Sequence, residues 1–197
     1  MTPQQTEKLK KKIADIKRIL AAEKRKYGAY DDGRGLRYLP TGYFVQLGDH
    51  KGGLAYLKWF YKNFPDDGGF PEFLFDSAIL LFKAGRLNEA ANAAFQTFCS
   101  NPYWIDRFLG RTPVPLDTWH SSNLMQVEYT KALTYTSDQQ DLIDFADWLR
   151  ELITTEEFIR RSSRYLEIYR QLKTETDKES RHRLAQEAFQ LQGERLY

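Results

Sequence analysis

The residues able to do chemistry in this chain are few and scattered. Its three histidines, His50, His120 and His182, lie in different segments, and none has a second histidine three or four residues away. No helical pair of imidazoles is therefore offered to a metal ion. "WHSSN", Trp119 to Asn123, sets a histidine beside two hydroxyls. A general base must meet its nucleophile in space, and adjacency in sequence does not supply that. "YDDGRGLRYLP", Tyr30 to Pro40, is the densest polar stretch. Asp31 and Asp32 suit a cation, and Arg34 and Arg37 suit an anion or carboxylate. Their spacing is not that of a calcium loop, so a turn closed by local salt bridges is the favoured reading. "NFPDDGG", Asn63 to Gly69, reads the same way. The sequence contains no Gly-x-Ser-x-Gly, no phosphate-binding loop and no dinucleotide fingerprint. Catalysis is not expected, and no cofactor or metal is implied.

Charge is unevenly spread. Residues 1–26 hold nine Lys/Arg against three Asp/Glu, a net of +6, and the remainder carries −4 of the total +2. Lys10, Lys11 and Lys12 are the densest part of this basic arm. They and their neighbours could meet phosphates or an anionic membrane surface. Aromatic residues do not interleave with these charges in the sequence, and no nucleic-acid module signature is present. A packing helix with a solvated charged face is the favoured reading, and nucleic acid is not expected as a partner. No apolar run approaches the ~20 residues of a membrane span, and the first residues lack the apolar core of a signal peptide. The expected location is the cytoplasm. The one cysteine, Cys99, excludes an internal disulfide and reads as a small buried residue.

These residues must be positioned by helices. Thr2, Pro3 and Gln5 form the start signal of a long first helix. Leu9, Ile13, Ile16 and Leu20 make one apolar stripe along it, and Gly28 ends it. A first hairpin runs through "YFVQLGDHKGGLAYLKWFYKNFP", breaking at Gly48 and stopping at Pro65. A second runs from Pro71 to Pro102 and breaks at Gly85. Further helices are expected over Thr118–Tyr135 and from Ser137, Thr154 and Thr176, the last three on capping-box spacing. No strand signal alternates for long.

The two hairpins share a register. Gly48 and Gly85 are 37 residues apart, and so are Pro65 and Pro102. In "AGRLNEAANAAFQTFCSNP", Gly85 sits at the turn, Ala90 at the position of closest helix approach, and Pro102 closes the unit. The pattern over residues 37–102 resembles the tetratricopeptide-repeat family, whose helix–turn–helix units run to about 34 residues. It departs from that family in its longer period, in Gly53 and Phe60 of the first hairpin, and in Thr97 of the second. The resemblance implies a single all-α domain, 1–197: a basic helix over 1–28, two hairpins over 37–102 stacked into a short right-handed α-solenoid, and degenerate hairpins over 117–197.

It also implies a binding tendency. "PEFLFDSAILLFKAG" is apolar on two faces. Leu74, Ala78 and Leu81 would meet the partner helix. Phe75, Ile79 and Phe82, with Lys83, would then line a concave groove for a partner's helix or peptide. The competing reading is that another part of the chain, such as the Leu9–Leu20 stripe, covers this face. The function expected is non-catalytic protein binding or scaffolding. The alternatives are a nucleic-acid-associated factor using the basic arm, a self-assembling subunit that caps its helical end faces as a homodimer, and, last, an enzyme whose site is built across loops.

Overall fold

The computed structural model describes residues 1–30, 32–193 and 196, and every regular element among them is helical. Helix α1 (Pro3–Tyr27) opens on the capping box written in its sequence. The Gln5 amide donates to the Thr2 hydroxyl at 3.2 Å, and the Thr2 amide donates to Gln5 Oε1 at 2.8 Å. Ile13, Ile16 and Leu20 are buried, while most of the lysines remain exposed. Two of those lysines lie over rings from the next two α-helices. Lys12 sits 5.2 Å from the centre of Tyr43, and Lys17 sits 5.4 Å from Phe44 and 5.7 Å from Tyr56. The aromatics missing from the basic arm's sequence are thus supplied from below it.

Two hairpins follow: α2 (Leu39–Leu47) with α3 (His50–Asn63), and α4 (Pro71–Lys83) with α5 (Leu87–Ser100). Gly48 and Gly85 both take left-handed backbone, φ 64° and 73°, a conformation that costs a residue with a Cβ. Each reverses the chain within two or three residues. Helix α2 packs on α3 and α4, α3 on α4, and α4 on α5. At Gly53 a Cβ would come within 2.6 Å of the Leu80 side chain, so the glycine sets how closely α3 approaches α4. Helix α4 is central, with ten of its thirteen residues buried.

The polar loops flanking the α2–α3 hairpin are stapled to each other. The Asp32 carboxylate accepts from the Leu36 and Arg37 amides, both at 2.8 Å. The Arg37 guanidinium donates to Asp67 at 2.8 Å, to Asp32 at 3.2 Å and to the Tyr38 hydroxyl at 2.7 Å. Tyr38 in turn donates to Asp67. Burial alone would raise the Asp67 pKa, but donors from Gly69, Tyr38 and Arg37 outweigh it and hold the carboxyl below its usual value. "YDDGRGLRYLP" and "NFPDDGG" are therefore two halves of one clamp.

The C-terminal part departs from expectation. Residues 118–135 do not form an α-helix; two short 3₁₀ turns, Asn123–Met125 and Val127–Ala132, stand in their place. The Asn101 amide captures the Leu124 and Gln126 carbonyls at 2.6 and 3.0 Å, which diverts carbonyls that an α-helical ladder would use. The Ser137 box does not form either, because the Ser137 amide donates to the Phe108 carbonyl. The helix beyond it begins only at Ile143. Short α6 (Trp104–Phe108) precedes this stretch, and α7 (Ile143–Leu152), α8 (Glu156–Thr174) and α9 (Lys178–Gly193) follow it. The α8 cap is Thr155 rather than Thr154, its hydroxyl accepting from the Phe158 amide. The α9 cap is Asp177, accepting from the Ser180 amide at 2.8 Å, rather than Thr176. Helix α8 packs on α5 and α9, with Arg161 fully buried, its guanidinium 4.5 Å from the centre of the Phe95 ring and donating to the Leu191 carbonyl.

Candidate functional site

The groove expected along α4 is occupied by the chain itself. Phe75 and Ile79 are 0% and 1% exposed. Phe75 meets Phe108 edge-on at 4.9 Å and Phe145 at 5.6 Å, and stacks on Tyr135 at 6.2 Å. Phe82 lies between Phe145 and Trp148. Lys83 donates to Asp144 of α7 at 2.5 Å. Helices α6 and α7 and the segment joining them fill this face, not the Leu9–Leu20 stripe of α1. These four residues are core and its border, because ring-on-ring burial inside the chain outcompetes any open surface here.

The expected anion-contacting residues do not converge. Lys10 pairs with Glu7 of its own helix, and Lys11 is exposed. Lys12 lies over Tyr43. Arg37 is consumed by the Asp32–Asp67 clamp, so its fork is not free for an external anion. Arg34 stands at the edge of the cavity described next. Asp31 lies outside the described residues, and Asp32 is committed to the clamp.

The cavity lies on the other side of α4, against α2, with a volume of about 360 Å³. Its rim carries Leu39 and Phe70, which are 45% and 38% exposed. Tyr38, Tyr43 and Tyr129 contribute rings to its lining, and Glu72 and Asp76 contribute carboxylates one helical turn apart on α4. Each group has a structural reason for its place. Pro40 starts α2 and Pro71 starts α4, both at positions where the missing amide hydrogen is not needed. Tyr38 is fixed by the clamp through Asp67 and packs its ring edge-on to Phe70 at 4.6 Å. Burial and the neighbouring Asp67 push its phenol up to about 12. Tyr129 is held by Glu72, donating to its carboxylate at 2.8 and 3.0 Å.

Asp76 forms the floor. It is 6% exposed, and burial, with help from Glu72, raises its pKa to about 7 against the opposing hydrogen bonds of Tyr135 and Thr41. Tyr135 donates to Oδ1. Thr41 lies 3.2 Å from Oδ2, but its hydroxyl also lies 2.7 Å from the Tyr38 carbonyl. A hydroxyl has one proton and a carbonyl only accepts, so the shorter contact takes it. While Asp76 is ionised, Oδ2 therefore keeps only the longer of two contacts that share one hydroxyl proton. When Asp76 is protonated the chain closes, Asp76 donating to Thr41 and Thr41 to Tyr38. Gly42 faces the same oxygen, and a Cβ there would stand 3.0 Å from Oδ2. The glycine keeps the floor accessible from the cavity.

Sequence reasoning passed over Asp76 and Gly42. The signal available was one carboxylate inside an otherwise apolar run, "FLFDSAILL", Phe73 to Leu81. A buried ionisable residue in such a run calls for a partner. A second cavity of about 500 Å³, lined by Met1, Gln5, Lys8, Leu9, Lys12, Gln46, Gln139 and Asp141, shares Gln46 with the first. No protein-family model matches the chain, and neither a curated protein nor a solved structure matches it. The arrangement is therefore read from its own chemistry.

Proposed function

We propose that the protein is a non-catalytic binding module, and that its partner docks at the cleft between α2 and α4. The observation that carries this reading is the open, aromatic-walled cavity rimmed by exposed Leu39 and Phe70. On this reading the two hairpins are stacked units of a short right-handed array resembling tetratricopeptide repeats. The paired left-handed glycines and the packing of α4 on both helices of the first hairpin support it. The cleft then lies between the first helices of successive units.

The occupant is a segment of a partner protein with apolar side chains for the rim and polar groups for the floor. Burying a large apolar side chain gains about 1.5–3 kcal/mol, and lost freedom on association offsets much of it. A dissociation constant near micromolar is expected for a segment that fills rim and floor together. The test is capture of proteins from the native lysate by the wild type and by Phe70→Ser in parallel. A protein held by the wild type and lost by the folded variant supports the reading. Identical capture by both would overturn it.

A further inference from the structure

The chemistry of the cleft floor specifies more than a docking place. Asp76 is buried, lines the cavity together with Gly42, and when ionised has at Oδ2 only the longer of two contacts that share the Thr41 hydroxyl proton, the shorter going to the Tyr38 carbonyl. A buried carboxylate in that state needs either a proton or a cation. Glu72, one turn away, accepts from Tyr129 alone among the described residues and keeps unused lone pairs. The remaining lining offers five aromatic rings, together with Leu39, Gln46 and two glycines. Arg34 is the cationic side chain of the lining, and it stands at the rim. With both carboxylates ionised the cavity therefore carries a net negative charge. A flat cation with several donors satisfies all of these features together, since a guanidinium stacks on rings while its edge reaches carboxylates.

We propose that the α2–α4 cleft is an arginine pocket: a partner protein's arginine side chain lies among Tyr38, Tyr43 and Phe70 and donates to Oδ2 of Asp76 and to Glu72. This rests on the protein-binding reading and names the side chain that the docked segment must present. It also makes binding pH-linked. The groups facing Asp76 are Thr41 from α2, Glu72 from α4, and Tyr135 from the segment between α6 and α7, with Arg34 at the rim. Burial, with a smaller push from Glu72, holds the proton on Asp76 up to about pH 7, and the arriving guanidinium must displace it. Affinity should fall about tenfold for each pH unit below that point and level off above it.

The probe is Nα-acetyl-arginine amide, with the neutral isostere Nα-acetyl-citrulline amide as control. Both are titrated into the full-length protein while amide shifts of Gly42, Tyr43 and Phe70 are followed by NMR. A single side chain should bind with a dissociation constant of about a millimolar at about pH 8. It should bind roughly tenfold more weakly one unit below the Asp76 transition. Citrulline should bind at least about tenfold more weakly at every pH.

Asp76→Asn keeps the fold testable, since its amide can donate to Thr41 and accept from Tyr135. It should lose both the arginine affinity and the pH dependence. Gly42→Ala, which narrows the approach to Oδ2, should weaken arginine independently. Equal binding of citrulline, unchanged arginine affinity in Asp76→Asn, or no saturation up to about 20 mM would overturn the proposal. A captured partner lost on Phe70→Ser but kept on Asp76→Asn would overturn the arginine pocket and leave the protein-binding reading standing. Saturable arginine binding with no partner lost on Phe70→Ser would overturn the protein-binding reading, and with it the partner's arginine, leaving a pocket for a free guanidinium.

Discussion

Helix α4 presents two faces that the protein treats in opposite ways. Phe75, Ile79 and Phe82 look toward α6 and α7 and are closed over by rings from Phe108, Tyr135, Phe145 and Trp148. Glu72 and Asp76 look toward α2 and open on a cavity. The closed face is wholly apolar, so any apolar segment can cover it with net gain. The open face includes a carboxylate that α2 does not fully satisfy. Covering it with more apolar chain would strand that charge. Which face stays open is thus decided by one residue, Asp76, and by the absence of a side chain at Gly42.

The largest predicted effect lies on the closed face. Phe75→Asp places a charge among three aromatic neighbours and should cost at least about 4 kcal/mol. Urea denaturation and near-ultraviolet circular dichroism should show a chain that is unfolded or close to it. A cooperatively folded variant would mean that this face is looser than its packing indicates.

Asp76→Asn tests the open face with the opposite sign. The folded-state pKa of Asp76, about 7, is above the ordinary carboxylate value of about 3.9. Between these values the folded protein keeps a proton that the unfolded chain releases. This contribution to stability is therefore fully present below about pH 4 and is lost as pH rises toward about 7. Asparagine keeps the hydrogen bonds without the charge. The variant should be more stable than the wild type by a few kcal/mol at about pH 8, with the gap closing toward about pH 4. Paired urea midpoints across that range provide the measurement, and a constant gap would refute the account.

Smaller effects separate the rim from the helices beneath it. Gly53→Val drives a branched side chain into Leu80 at the α3–α4 crossing, and a loss of about 2 kcal/mol is expected from thermal unfolding. Phe70→Ser removes an exposed rim ring, but its hydroxyl takes the N-cap position of α4, which now has no side-chain cap. The two changes oppose each other, so stability should move by less than about 1 kcal/mol while partner capture is lost. Replacing Lys10, Lys11 and Lys12 with glutamine should have the least effect. It removes one exposed ion pair and one cation–π contact, costs under about 1 kcal/mol, and should leave partner capture intact.

Much of the local structure was legible. The Thr2–Gln5 box, the turns at Gly48 and Gly85, and the local Asp32–Arg37 salt bridge each depend on residues close together or of special backbone freedom, whereas the link from Arg37 and Tyr38 to Asp67 spans about thirty residues and was not read. The errors fall where distant groups intervene. Residues 118–135 look helical, but Asn101, more than twenty residues away, takes two of their carbonyls. Thr154 and Thr176 satisfy the capping-box spacing, yet each cap falls one residue later, on Thr155 and Asp177, because neighbouring residues are competent caps.

The sequence by itself determined the helical class, the paired hairpins and the two-sided apolar character of α4, because helix periodicity and turn chemistry act within a few residues. Only the tertiary structure decided which side of α4 became core. It also joined Asp76 to Thr41 and Tyr135 across 35 and 59 residues, and placed rings beneath the basic helix. Those outcomes depend on which surfaces meet once the chain has folded back on itself, and on whether a buried charge finds a donor there. No short window of residues contains that information.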